Sequence, residues 1–225
     1  MQNCVGESLY KRRKASSLNL ILNIIILIFI IVFIVELIFN SIFANIYVKG
    51  SSMLPTLTGA PAYGGEVMSG GDYVFVNTQA QPDYFDIVVV ETVDAQGVPY
   101  EIIKRAIAFG GDTVKMELGR LSIKFAGDSE FTEINEEYLS EDYVTWNKPI
   151  NSFAEHYVEE GYMFLLGDNR DVSEDSRRRG DFPLDSLVGV VPKWSLKYKS
   201  IITSFYTFFE FKLRLNSING KTYGD

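Results

Sequence analysis

The sequence predicts a mostly β domain carried behind one N-terminal membrane span, on three observations. Residues 18–35, "LNLILNIIILIFIIVFIV", form a long apolar run without a charge. Beyond the run stands a series of short segments rich in β-branched and aromatic residues, punctuated by Gly, Pro, Asn and Asp. No internal repeat or long amphipathic helix is visible between them.

The span comes first. A hydrocarbon core of about 30 Å takes roughly 20 apolar residues as helix, and the run supplies them, resuming after Glu36 as far as Val48. The bases "KRRK", Lys11 to Lys14, precede it and favour the cytoplasmic side. The expected layout is a basic cytoplasmic tail over 1–17, a transmembrane helix over 18–43 and an extracytoplasmic domain over 44–199. Residues 200–225, an apolar segment with a polar tail, have no assigned role. The run is too long for a cleavable secretion signal, whose apolar core covers about 7–15 residues, and it lacks the amphipathic edge of a buried core helix. The expected location is a cell membrane, crossed once.

Charge and cysteine content narrow the outer part. The chain carries −8 overall; residues 1–14 hold four bases and one acid, which leaves −11 on the remainder. Nucleic acid demands a basic footprint and is excluded as a partner. The only cysteine, Cys4, precedes the span, so the outer domain has no internal disulfide.

The strands read in order as Asp72–Asn77, Phe85–Thr92, Tyr100–Phe109 and Asp112–Leu118, then a hairpin with its turn near Gly119, then Tyr162–Asp168 and Leu187–Trp194. Residues 119–160 are expected to form a smaller excursion, with the acidic stretch "EINEEYLSEDY" exposed. "TGAPAYGGEVMSGG", 58–71, reads as a loop. "IITSFYTFFEF", Ile201 to Phe211, is too short to span; it either packs on the sheet, the favoured reading, or lies in the bilayer interface.

"KGSSMLPTL", Lys49 to Leu57, raises the question of chemistry. A serine is a poor nucleophile until a base takes its proton. The one histidine, His156, stands among carboxylates in "FAEHYVEEG" and reads as solvated. One histidine and one remote cysteine cannot build a zinc site, so no metal and no cofactor is expected. A lysine remains, provided burial lowers its pKa. Lys104 in "EIIKRAIAF" has apolar neighbours, and strand alternation puts Ile102, Lys104 and Ala106 on one face, with Ile103, Arg105 and Ile107 on the other. Composition alone still favours an edge lysine with a buried stem and a wet tip. In "GDNRDVSEDSRRRG", Gly167 to Gly180, the residues Asp168, Asp175, Arg170 and Arg177 suit an ion-pair cluster pinning a loop. The same scaffold suits presentation of the Ser173 hydroxyl to an amine.

Three motifs, "GSSMLPTL", "KRAIAFGGD" and "GDNRDVSEDSR", occur in that order behind an anchor. Together they resemble the type I signal peptidases, membrane-bound Ser/Lys enzymes that remove secretion signals. The resemblance runs to about Trp194. It implies two coiled antiparallel sheets with an apolar surface facing the lipid bilayer, Ser52 as nucleophile and Lys104 as general base. It further implies Ser173 hydrogen-bonded to the lysine, with Asp175, Arg177 and Asp168 bracing the loop. Val48, Met53, Ile102 and Ile103 would line pockets for small substrate residues at −1 and −3, and the partners would be secreted preproteins. Two departures stand out. Gly50 occupies the place where a subgroup has a serine donor to the oxyanion, and Ala108 and Gly110 replace the family's Gly and Pro. The alternatives are an anchored β-domain that binds surface proteins without catalysis, and a Ser/Lys peptidase dedicated to one partner.

Overall fold

In a computed structural model, the structure describes residues 2–60, 62–63, 66–67, 70–139 and 152–219, with side chains over 18–60, 70–139 and 152–209. The chain divides into two units, Met1–Phe43 and Ala44–Asp225.

The first unit is one helix, α1, Gln2–Ile42. Its stretch Leu18–Ile42 has a mean hydropathy of 3.3. It is the one helix among the described residues long and apolar enough to cross a membrane. From Leu18 to Ile38 its Leu and Ile side chains stand exposed, a surface compatible with contact to lipid.

The second unit is built on β-strands. In chain order they are β1 (Phe43–Tyr47), β2 (Ala62–Tyr63), β3 (Glu66–Val67), β4 (Tyr73–Asn77), β5 (Ile87–Val93), β6 (Pro99–Phe109) and β7 (Thr113–Glu117), followed by β8 (Arg120–Lys124), β9 (Thr132–Glu133), β10 (Phe153–Tyr157), β11 (Tyr162–Leu166), β12 (Phe182–Pro183) and β13 (Leu187–Val190). Seven form a sheet in the order β1-β4-β13-β5-β6-β11-β12, four form a second in the order β10-β7-β8-β9, and β2 and β3 make a small antiparallel ribbon. The two-sheet expectation holds, and so does the hairpin, where β7 and β8 pair across Leu118–Gly119. The smaller sheet opens at Thr113, slightly before the expected excursion.

Strand β6 joins the parts. It pairs with β5 from Val93↔Pro99 to Ile87↔Arg105 and with β11 from Leu166↔Arg105 to Met163↔Phe109. The β11 register slips between Phe164 and Leu165, opposite Ala108 and Ala106, which leaves Ile107 as an extra residue. A bulge of this kind suspends the strict two-residue alternation. The predicted alternation therefore holds up to Ala106, with Ile102 and Ala106 in one apolar cluster and Ile103 in another. Past that point Ile107 and Ala108 both enter a third cluster, against Val114, Met116, Leu121, Ile123 and Phe164. One strand feeds three cores.

Helices close the chain. α2 (Ser176–Arg179) lies inside the acidic motif loop, and α3 (Lys193–Lys197) and α4 (Lys199–Asn219) follow β13. Several expectations are corrected here. The last strand ends at Val190, not Trp194, because Pro192 caps α3: it has no N–H for a sheet and suits a helix start. The segment 58–71 contains the β2–β3 ribbon. Residues 199–219 are a long helix, packed on β4 through Ile202, Thr203 and Tyr206. Strand β10 was not legible in the sequence, because an irregularity between Phe153 and His156 breaks its alternation.

Phe164, 2 % exposed, contacts Phe153 and His156 in the third core. Truncating a packed ring this size leaves a cavity, so Phe164→Ala lowers the unfolding free energy by about 3–5 kcal/mol. The check is the urea midpoint at unchanged slope.

Candidate active site

The serine loop is pinned at both ends. After β1, Val48 N–H donates to Asp72 O, Ala60 N–H to Val48 O, and Gly50 N–H to Ala60 O. Gly50 has φ +74°, and a Cβ on Gly59 would sit 1.6 Å from Gly50 O, so two glycines let the strands approach and reverse. Inside the loop, Met53 and Leu57 are buried in the first core with Val48, and Leu57 N–H donates to Met53 O. These apolar anchors hold the loop from below. From outside, Asn169 grips it twice: its N–H donates to Ser52 O at 2.9 Å and its Nδ2 to Ser51 O at 3.1 Å. Lys199 Nζ, at the start of α4, donates to Thr56 O and Asp72 Oδ2. The Ser52 N–H has no hydrogen-bond partner among the described residues.

Against this loop β6 presents Lys104. Its Nζ donates to Ser52 Oγ at 2.9 Å and to Ile103 O at 2.9 Å, and the residue is 4 % exposed. The wet-tip reading favoured by composition is therefore wrong. Burial pushes the amine from 10.5 down to about 8; Asp175 and Asp168 pull it up and Arg179 pushes it further down, all three acting less strongly than burial.

The carboxylates near the amine are engaged elsewhere. Asp168 is fully buried and takes a two-pronged contact from Arg105, Nε to Oδ1 at 2.8 Å and Nη2 to Oδ2 at 2.6 Å. It also accepts the Thr56 hydroxyl. Arg105 donates its remaining arm to Phe85 O and lies 3.7 Å from the Tyr138 ring centroid. Asp175 caps α2 through Arg177 N–H, accepts from Arg177 Nε and Nη2, and accepts Gly167 N–H. Burial alone would raise its pKa, but Arg177 and the Gly167 N–H outweigh it and hold the carboxyl below its ordinary range. Arg177 also donates to Arg170 O. The structure thus brings Asp168, Asp175 and Arg177 together in the loop beside the pair.

Ser173 differs from expectation. Its Oγ is buried, makes no hydrogen bond to Lys104 and has no hydrogen-bond partner among the described residues. It lies near enough to Asp175 to help lower that carboxyl, though not in bonding geometry. It stands close against Gly167, where a Cβ would meet Ser173 Oγ at 2.2 Å and Ser52 O at 2.6 Å. His156 lies outside the site. It is paired with Asp181 at 2.9 Å on a partly exposed edge.

A groove of about 510 Å³ runs past the Ser52–Lys104 pair. Residues 46–52 form one wall, residues 100–104 with Val89 the other, and Val172, Glu174 and Arg179 close the rim. Val48, Ile102 and Ile103 line it as expected. Met53 does not; it lies 1 % exposed in the core beneath.

Sequence reasoning missed four contributors: Asn169, Thr56, Glu136 and Tyr138. Glu136 was read as exposed, yet its carboxylate is buried against Arg170, and Tyr138 donates to Glu136 while covering Arg105. An acidic run read in isolation carries no sign of the arginines that will cover it. Asn169 stands inside a quoted motif, but its partners are more than a hundred residues away.

The chain matches the family described as "Signal peptidase, peptidase S26" over residues 21–194. It is 32% identical over 148 residues to the probable thylakoidal processing peptidase 2, chloroplastic, of Arabidopsis thaliana, covering 63% of this chain and 35% of that protein. It is 29% identical over 179 residues to signal peptidase I of Streptococcus pneumoniae serotype 4, covering 64% of this chain and 78% of the relative. The chain thus spans about a third of the first relative's length and over three quarters of the second's. Among solved structures, a signal peptidase I from Enterococcus faecalis is 27% identical with a TM-score of 0.40, covering 50% of this chain and 98% of that one.

The buried amine has a cost that can be measured. Below about pH 8 the folded state must hold Lys104 charged without water, whereas the unfolded chain protonates it freely below 10.5. Stability therefore rises with pH between those values. Lys104→Met removes the penalty and is more stable than the wild type by up to about 3 kcal/mol below pH 8. The advantage shrinks to nothing above pH 10.5. Melting curves in detergent at several pH values measure it.

Proposed function

The chain belongs to the S26 family of signal peptidases, and on that premise we propose that it is a membrane-anchored Ser/Lys endopeptidase removing N-terminal signal peptides from secreted preproteins. The observation that carries the reading is the dry Lys104 amine 2.9 Å from the Ser52 hydroxyl.

Preprotein enters as an extended segment along the groove, between backbone 46–52 and backbone 100–104. Val48, Ile102 and Ile103 leave room for small side chains and so select them at −1 and −3. Neutral Lys104 takes the proton of Ser52 as Oγ attacks the carbonyl carbon. Its hydrogen bond to Ile103 O keeps the nitrogen aimed. The oxyanion that forms meets the Ser52 N–H, which has no acceptor among the described residues, a contribution worth about 3–4 kcal/mol. Gly50 supplies no side chain, and its own N–H is committed to Ala60 O. At φ +74° a serine there would also be strained, so the glycine suits the turn. Protonated Lys104 next delivers its proton to the leaving amine. Water, with Lys104 again as base, releases the acyl group from Ser52. Asp168, Asp175 and Arg177 hold the loop against which Ser52 rests.

Location agrees with chemistry. Ser52 lies ten residues beyond Ile42, at most about 35 Å of extended chain. Its substrates emerge from the same membrane. The bases Lys11 to Lys14 support an N-terminus on the cytoplasmic side and a β domain outside.

Cleavage of a model preprotein in detergent, followed on gels, tests the assignment. Ser52→Ala abolishes product, and Lys104→Ala lowers kcat/KM by on the order of 10²–10⁴. Full activity in either variant would refute the mechanism. For the wild type, kcat/KM rises with pH and levels off above about 8, where Lys104 is neutral. A rate flat from about pH 6 to 9 counts against this base.

A further inference from the structure

Helix α4 carries more apolar surface than its seat uses. Ile202, Thr203 and Tyr206 face β4, where Tyr206 stacks on Tyr73 at 5.1 Å. On the adjoining face Ile201, Phe205, Phe208 and Phe209 stand 47–69 % exposed. Their spacing, i, i+4, i+7 and i+8, makes one continuous stripe, and exposed Tyr198 extends it by one turn. Exposed Ser200 and Ser204 flank it. Trp194, in α3, contacts Phe75 beside the same seat and is 39 % exposed.

Charge points to the occupant. Besides Lys199, which is paired with Asp72, residues 193–214 carry Lys193, Lys197, Lys212 and Arg214 against Glu210 alone, in a chain of net −8. A cationic, aromatic-rich amphipathic helix fits an anionic lipid surface, where Phe, Trp and Tyr enter the acyl boundary and lysines meet headgroups. An acidic protein partner would match the charge but has no need of four exposed apolar rings and chains in a row. Connectivity agrees: β1, which opens directly after α1, neighbours β4, the strand on which α4 packs.

We infer that α4, with Trp194 and Tyr198 at its entry, is a bilayer-interface element that seats the β domain on anionic lipid as a second membrane contact. This rests on the reading of α1 as a membrane span. It resolves the choice left open for Ile201 to Phe211, since one face packs on the sheet and the next meets lipid.

The test uses the full chain, with Cys4→Ser and Ser204→Cys, carrying an environment-sensitive fluorophore at position 204. It is reconstituted in phosphatidylcholine vesicles with or without phosphatidylglycerol. Nitroxide lipids labelled near the headgroup quench the probe several-fold more than aqueous iodide does, and more strongly when phosphatidylglycerol is present. In Phe205→Ser/Phe208→Ser/Phe209→Ser the preference reverses, while cleavage in detergent is unchanged. Stronger quenching by iodide than by lipid in the unmutated face overturns the inference, and needs no folded triple variant. Energy transfer between labelled copies that grows with protein density and vanishes in the triple variant also overturns it, assigning the face to a second copy. Lipid quenching in a protein without Ser52-dependent cleavage supports this inference while sinking the catalytic one.

Discussion

An amine kept from water beside a hydroxyl is the constraint around which the β domain is arranged. Two cations stand side by side on β6 and receive opposite treatment. Arg105 is given a buried carboxylate, a backbone carbonyl and an aromatic face. Lys104 is given a serine and a single carbonyl. The difference is enforced by occupancy, because Asp168 is filled by Arg105 and Asp175 by Arg177. Each arginine cancels a charge that would otherwise draw a proton onto the amine. A fixed, planar donor set that never loses its proton suits this task, and a lysine in either place would not.

Much of this was legible in the chain, for identifiable reasons. Apolar neighbours around Lys104 reported the surroundings of its strand, and punctuation by Gly and Asp placed the hairpin at Gly119. The motif Gly167 to Gly180 announced an ion-pair cluster. Long-range partners were not legible. Glu136 looks solvent-bound beside its acidic neighbours and becomes buried only because Arg170 arrives from another part of the chain. Met53 adjoins Ser52 in sequence yet is buried in the core beneath it, where it anchors the loop. Resemblance puts Ser173 on the amine, whereas its buried hydroxyl lies against Gly167 without a hydrogen bond to Lys104. The α4 pattern was hidden because two apolar faces, one for the sheet and one exposed, blur into a run without clean periodicity.

The groove follows from the same economy of backbone. The wall at 46–52 leaves β1 and is fixed at its base by pairing with residues 60 and 72, while the wall at 100–104 belongs to the longest strand. An extended peptide between two such walls finds backbone donors and acceptors already in place. On the proposed reading, selectivity falls to the apolar Val48, Ile102 and Ile103, set among polar neighbours such as Glu101 and Glu174.

The grip on the serine loop comes from distant places: residue 72, residue 104, the pair 168–169 and Lys199. The centre consequently has an assembly order. A polypeptide emerging with its N-terminus first exposes the hydroxyl long before the asparagine and the final lysine that steady it. Until the helix at 199 docks, the hydroxyl at 52 stands beside the amine without the last of the contacts that steady its loop.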